Sequence, residues 1–101
     1  MVAVIRAIPG HEDQLVAAIA TLTAAVRREP GCLEFRPFRD VADPRVFYLY
    51  EIYADADAFQ AHLTTDHVTH FFTELAQHST ADARALVQLV ELHLPRTRPE
   101  V

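Results

Sequence analysis

The sequence contains no lysine, no asparagine and no tryptophan, and it has one cysteine, Cys32, and one serine, Ser79. Without lysine there is no side-chain amine for a Schiff base and no lysine for a phosphate-binding loop. The single serine lies outside any nucleophile-elbow motif, which argues against a serine hydrolase. One cysteine excludes an internal disulfide and a thiolate metal cage supplied by a single chain. We interpret Cys32 as a buried strand residue.

The composition is that of a folded protein of ordinary size. The chain has 101 residues, of which 50% are hydrophobic and 23% are charged, and this fits one domain better than two. Its formal net charge of -5 gives no footprint for nucleic acid or for an anionic membrane. Its apolar runs are far shorter than the roughly 18 residues of a membrane span, and its start lacks the pattern of a signal peptide. We therefore expect a cytoplasmic protein with no nucleic-acid partner and no membrane partner.

Hydrophobic patterning divides the chain into strands and helices. Apolar residues between positions 11 and 28 recur at helical spacing, whereas β-branched and aromatic residues dominate positions 46–53. Pro-Gly pairs end the first strand and the first helix. Asp55, and either Thr65 or Asp66, are suited to cap two further helices. The patterns predict strands at residues 1–8, 32–39, 46–53 and 85–94, and helices at 11–28, 55–62 and about 66–77.

This order of elements, β-α-β-β-α-β, is that of the ferredoxin-like plan, in which helices cover one face of a four-stranded antiparallel sheet. We predict one α+β domain over residues 1–94, followed by a C-terminal tail at 95–101. Both faces of the strand at 46–53 carry bulky apolar groups. Because the face without helices would expose them, we expect two sheets to meet face to face in a homodimer.

Four segments resemble the antibiotic biosynthesis monooxygenase (ABM) family of dimeric α+β barrels. They are Pro9-Gly10-His11-Glu12, Glu29-Pro30-Gly31-Cys32, the strand at 47–53 with Glu51, and His62 followed by Thr65, His67 and Phe71. The resemblance spans essentially the whole chain and implies a mainly apolar pocket in each subunit. Members of the family include cofactor-free oxygenases that convert anthrones or hydroquinones to quinones with O2, haem-degrading enzymes, and an isomerase of a phosphorylated sugar. The fold alone therefore does not select an activity.

Missing side chains narrow these activities. The haem-degrading and anthrone-oxidising members use Asn and Trp, which this chain lacks, and Phe72 stands where the haem-degrading branch has a histidine. The quinol-oxygenase-like branch is the closest one that remains. The resemblance then implies a cofactor-independent monooxygenase, without metal or organic cofactor, whose partners are O2 and a small aromatic molecule of the hydroquinone or anthrone type.

The stretch FQAHLTTDHVTHFF places three of the six histidines, His62, His67 and His70, within nine residues. Metal binding by this trio is not expected, because the spacing fits no zinc pattern and Asp66 is the only adjacent carboxylate. Proton transfer is the better interpretation, because imidazole changes charge near neutral pH. We predict that His62 and His67 are catalytic and that His70 faces away, with a structural hydrogen bond as the alternative for His62.

Aromatic and charged residues complete the predicted site. Planar substrates need apolar walls and a few polar groups, which Tyr53, Phe71, Phe72 and Arg36 are expected to supply. Glu51 lies in the middle of an apolar strand, where an ionised carboxylate needs a partner. We predict a structural ion pair of Glu51 with Arg6, and Arg36 is the other candidate partner.

Two further functions fit the same pattern. A histidine-based proton shuttle could serve the isomerisation of a small keto sugar, and a requirement for O2 would separate the two reactions. A binding module could hold an aromatic metabolite without converting it, in which case the ligand would stabilise the fold and no product would form.

Overall fold

The computed structural model describes residues 1–80 and 85–95 and has the predicted α+β, ferredoxin-like fold. Four strands, β1 (Val2–Arg6), β2 (Cys32–Arg39), β3 (Val46–Tyr53) and β4 (Ala85–Val87), form one sheet. Its order is β2-β3-β1-β4, and all neighbouring strands are antiparallel. Among the described residues, no helix has the length and apolarity to cross a membrane. The helices are α1 (Glu12–Val26), α2 (Ala56–Leu63) and α3 (Asp66–His78).

The core lies between one face of the sheet and the helices α1 and α3. Alternation along the strands directs one set of apolar side chains to this face, and the helices supply a matching stripe at helical spacing. Each fully buried aliphatic or aromatic side chain stabilises the fold by about 1.5–3 kcal/mol. The buried set is Ile5, Ala7, Leu15, Ile19, Leu22, Val26, Phe35, Phe47, Leu49, Val68, Phe71 and Leu75.

Two side-chain N-caps mark where α2 and α3 begin. The Asp55 carboxylate accepts a hydrogen bond from the Ala58 N–H at 2.7 Å, and this begins α2. The Thr65 hydroxyl accepts one from the Val68 N–H at 3.4 Å and donates one to the His62 carbonyl at 2.7 Å. Thr65 therefore joins the end of α2 to the start of α3, and this corner holds His62.

The turn after α1 packs directly on α2. A Cβ atom built on Gly31 would lie 2.4 Å from the Ala58 Cβ, which is closer than real side chains approach. Only glycine allows this approach, and the Gly31 carbonyl accepts a hydrogen bond from Ala54 at 2.9 Å. The Arg27 guanidinium donates to the Phe35 carbonyl at 2.8 Å and 3.1 Å, which fixes the end of α1 to β2. The turn that carries Glu29 is thereby held beside α2.

The last strand is shorter than predicted. The patterns predict a strand over 85–94, but β4 ends at Val87. Val87 pairs with Val2, the first residue of β1, so within one chain β1 offers the following residues nothing to pair with. Leu89, Val90, Leu92 and Leu94 are exposed as a result. Of the predicted tail at 95–101, only Pro95 belongs to the described residues.

Candidate active site

A cavity of about 310 Å³ lies between the sheet and the corner formed by α2 and α3. Its size falls at the lower end of the range for small-molecule sites. Among the described residues that line it, two have ionisable side chains, His62 and Glu51. The apolar wall includes Leu22, Phe35, Leu49, Phe59, Val68, Phe71, Phe72 and Leu75.

His62 projects from α2 and is only 6% exposed. Its Nδ1 lies 2.9 Å and 3.2 Å from the two carboxylate oxygens of Glu29. A carboxylate can only accept hydrogen bonds, so this contact assigns the proton to Nδ1 in the neutral ring. The lone pair is then on Nε2, which lies 3.8 Å from Glu51 on the cavity wall. His62 thus combines an orienting carboxylate with a ring nitrogen that is free to accept a proton.

Glu29 also holds His67. The His67 Nε2 lies 2.6 Å from Glu29 Oε2, the same oxygen that is nearest to His62. His67 belongs to α3 and lines a recess between α1 and α3 that shares Leu22 and Phe71 with the cavity. The side chain of Glu29 is 12% exposed and that of His67 is 26% exposed. The carboxylate therefore joins a buried histidine to one that reaches solvent.

Glu51 extends the network on the sheet side. The Tyr53 hydroxyl donates a hydrogen bond to Glu51 Oε1 at 2.7 Å. Burial raises the pKa of the Glu51 carboxyl above its ordinary value, although the hydrogen bond from Tyr53 and the nearby His62 oppose the shift. Burial, followed by the adjacent Glu51, also raises the pKa of Tyr53, so its hydroxyl stays a donor. Tyr53, Glu51, His62, Glu29 and His67 form one continuous polar network.

The predicted aromatic residues divide between the cavity and its surroundings. Phe71 and Phe72 line the cavity, with Phe71 buried and Phe72 half exposed. Tyr53 lies beside the cavity and not in its wall, and its ring packs on His62 at 4.8 Å between centroids. It lines an adjoining recess together with Glu51 and Phe59.

Both predicted arginine roles need correction. Arg36 follows the buried Phe35 on β2 and so projects to the opposite face, where it lies over Phe38 and 3.4 Å from Glu34. It does not line the cavity. Arg6 follows the buried Ile5 and likewise points away from the helices, so among residues 1–80 and 85–95 it forms no ion pair with Glu51.

The other histidines lie away from the cavity. His70 is exposed and 3.6 Å from Glu74, and both side chains line the recess between α1 and α3. His78 lies 3.3 Å from the same carboxylate and 3.0 Å from the Nδ1 of His11. These contacts belong to the surface between α1 and α3.

Glu29 is the site residue that the sequence analysis did not assign. The signal for it is the Glu29-Pro30-Gly31-Cys32 motif, which by itself indicates only a helix end and a family resemblance. The motif has a local reason: Gly31 permits the close contact with Ala58, and this brings the preceding carboxylate against α2. When a glycine turn packs closely on a helix, a carboxylate next to that turn lies near the helix. Such a carboxylate is a candidate hydrogen-bond partner for polar side chains of the helix.

Taken together, these features define an α+β fold with a largely apolar cavity beside a buried His–Glu network. The sequence profile of the antibiotic biosynthesis monooxygenase family matches residues 1–74. The chain therefore belongs to the antibiotic biosynthesis monooxygenase family.

Solved structures agree with this assignment. The protein PA3566 from Pseudomonas aeruginosa is 31% identical, with a TM-score of 0.84 and 90% of each chain covered. The protein SO0527 from Shewanella oneidensis is 28% identical, with a TM-score of 0.76 and 79% of each chain covered. The structure of an antibiotic biosynthesis monooxygenase is also 28% identical, with a TM-score of 0.74, and it covers 90% of this chain and 100% of that one.

Proposed function

We propose that the protein is a cofactor-independent monooxygenase that oxidises a planar hydroquinone- or anthrone-like molecule with O2. The observation that carries this proposal is the orientation of His62. Glu29 binds its Nδ1, and its Nε2 is left on the side of an apolar cavity. This is the arrangement of a general base held by a third group.

The reaction begins with a proton transfer. The Nε2 of His62 removes a proton from the phenol or from the activated CH2 of the substrate, and the resulting anion donates an electron to O2. Recombination of the two radicals at a carbon that carries a hydrogen forms a C–O bond, and protonation gives a hydroperoxide. Loss of that hydrogen as a proton with cleavage of the O–O bond then leaves a new carbonyl in the quinone product. One oxygen atom of O2 enters the product, the other leaves as water, and the substrate loses two hydrogens.

The surroundings of His62 suit this chemistry. The apolar walls exclude water and match a planar ring, with Phe59, Phe71 and Phe72 as the aromatic surfaces. The imidazolium that forms is stabilised by the Glu29 carboxylate at 2.9 Å. Glu29 also contacts His67, which opens to the recess between α1 and α3 and provides a route for the proton to solvent.

The homodimer is part of the same proposal. Leu89, Val90, Leu92 and Leu94 follow β4 with their side chains exposed. The open face of the sheet carries the half-buried Tyr48, Tyr50 and Ile52. A second copy would cover both surfaces, and apolar patches of this kind usually mark an interface.

Oxygen uptake tests the activity. Wild type is compared with His62→Gln and Glu29→Gln in chelator-treated buffer, against a panel of hydroquinones and anthrones, with product detected by absorbance. Loss of the general base should lower kcat/KM by about 10²–10⁴-fold, and Glu29→Gln should lower it less because the amide oxygen still accepts a hydrogen bond. His70→Gln is the matched control, because its side chain is 68% exposed and outside the cavity.

Three results would contradict the proposal. Uptake by the wild type that does not exceed the uncatalysed rate would exclude an oxygenase for these substrates. Thermal stabilisation by a panel compound without any product would indicate a binding module. Conversion of a small keto sugar that continues under argon would indicate an isomerase. Because His62 is buried, circular dichroism of each variant separates a loss of fold from a loss of base.

A further inference from the structure

We propose that Glu29, His62 and His67 form a binding site for one divalent transition-metal ion of the zinc type. The three side chains come from the turn after α1, from α2 and from α3, and each offers one ligand atom. These atoms all lie within 4.8 Å of one another. This set differs from the histidine trio of the sequence, because Glu29 takes the place of the exposed His70.

The distances suit a shared ion. Two ligands at about 2.0–2.1 Å from a tetrahedral ion lie roughly 3.3 Å apart. Glu29 Oε2 is 2.9 Å from His62 Nδ1 and 2.6 Å from His67 Nε2, so both nitrogens already converge on one oxygen. To hold an ion, these two contacts lengthen by less than an ångström towards that spacing of roughly 3.3 Å. The two ring nitrogens, which lie within 4.8 Å of each other, approach to the same spacing. His67 is the partly exposed member and is the side chain able to move.

The far side of His62 faces a carboxylate, as is common for histidine ligands of metals, although 3.8 Å is longer than a hydrogen bond. A histidine that binds a metal through one ring nitrogen usually donates the other N–H to a carboxylate. Here Nδ1 faces Glu29, and Nε2 faces Glu51 Oε1 at 3.8 Å. Glu51 is in turn held by the Tyr53 hydroxyl at 2.7 Å. Glu51 and Tyr53 are therefore placed to orient the ligand ring.

Ligand chemistry selects the ion. Two imidazole nitrogens and one carboxylate suit Zn²⁺, Co²⁺ or Ni²⁺, whereas Ca²⁺ and Mg²⁺ prefer oxygen ligands alone. The ion enters through the recess between α1 and α3, where His67 is partly exposed. Three protein ligands leave a fourth tetrahedral position for water.

Metal binding and proton transfer need opposite tautomers of His62. As a base, the ring carries its proton on Nδ1 and accepts another on Nε2. As a ligand, Nδ1 holds the ion and Nε2 carries the proton. A bound metal ion should therefore inhibit the oxygenase. This inhibition rests on the proposed function, but the metal binding itself does not rest on it.

Cobalt binding provides the test. Protein without an affinity tag is stripped with chelator and titrated with Co²⁺, whose visible absorption reports inner-sphere nitrogen ligands, and Zn²⁺ is added in competition. We expect one equivalent to bind and Zn²⁺ to displace it. His67→Gln and Glu29→Gln should each weaken binding at least tenfold. Glu51→Gln should weaken it by about tenfold, because the outer carboxylate is lost.

The surface cluster on α3 supplies matched controls. His70→Gln and Glu74→Gln change a histidine and a carboxylate that contact each other outside the network, and both should bind Co²⁺ as the wild type does. The proposal is overturned if the wild type gives no visible Co²⁺ spectrum, or if His67→Gln binds normally. It is also overturned if His70→Gln loses binding equally, which would place the ion on the α3 surface. Substrate is absent throughout, so failure of the oxygenase proposal leaves this test intact.

Discussion

Glu29 Oε2 lies 2.6 Å from His67 Nε2, although 38 residues separate them in the chain. The same oxygen lies 2.9 Å from His62 Nδ1, so one carboxylate organises both histidines. Buried polar groups of this kind are costly when they are only partly satisfied, and the network therefore depends on the exact position of the turn that carries Glu29.

The contact between Gly31 and Ala58 sets that position. We expect Gly31→Ala to lower the free energy of unfolding by about 1–3 kcal/mol, because its Cβ would overlap the Ala58 Cβ at 2.4 Å. Urea denaturation measures the change. Under the proposed function, the variant should also lose activity, since the turn and α2 must separate.

A double-mutant cycle identifies the cause. Ala58→Gly removes the opposing methyl group, so the pair Gly31→Ala with Ala58→Gly should be less destabilised than the sum of the single changes. Strictly additive changes in the free energy of unfolding would show that the overlap of the two Cβ atoms does not cause the destabilisation. Gly10→Ala is a contrasting control: nothing lies within 4 Å of its Cβ, and its cost comes from a φ of +88° alone.

Asp40 should make stability depend on pH. Hydrogen bonds from the Asp43 N–H, the Tyr48 hydroxyl and the Ala42 N–H hold the pKa of this carboxyl below its ordinary value of 3.8. A lowered pKa means that the fold favours the ionised form, so Asp40 stabilises the protein above the ordinary aspartate pKa. That contribution is lost as the pH falls through the folded pKa.

We therefore expect Asp40→Asn to be less stable than the wild type at pH 7, with a difference that narrows as the pH falls below about 4. Urea midpoints between pH 7 and pH 2.5 measure it. Tyr48→Phe removes one of the donors and should give a smaller effect of the same sign. A difference between wild type and Asp40→Asn that stays constant with pH would refute the argument.

The segment after β4 should carry the dimer contact. Val90 is 90% exposed and Leu92 is 76% exposed. A charged residue at both positions should therefore change the folding free energy of a monomer little, but it should oppose burial of these positions in a dimer. We expect the wild type to elute as a dimer at micromolar concentration and the double variant Val90→Asp/Leu92→Asp to elute as a monomer. Light scattering measures the mass of each. Val41→Asp, at a fully exposed turn, is the control. A monomeric wild type would refute the expectation.

Much of the fold follows from local patterns. The helix at 12–26 and the strands at 32–39 and 46–53 arise where apolar spacing, Pro-Gly pairs and aromatic residues agree. Asp55 and Thr65 cap their helices as predicted from residue type. The end of β4 was not predictable in this way, because strand length depends on the pairing partner, and within one chain β1 provides partners only as far as Val87.

The site was predictable only in part. His62 and His67 stand out because histidines are few and clustered, and Phe71 and Phe72 follow them on a predicted helix. Their partner Glu29 does not stand out, because a glutamate before a Pro-Gly turn resembles an ordinary solvated helix end. The arginine assignments failed for another reason. Successive side chains along a strand point to opposite faces of the sheet, so a difference of one position decides which face an arginine occupies.

The five members of the polar network come from β3, α2, α3 and the turn after α1, and no two neighbouring elements suffice to form it. A chain that kept its helices and strands but lost their packing would retain every one of these side chains and would lack the network. The network therefore depends on tertiary structure: in a partly folded population, it exists only in molecules whose helices pack on the sheet.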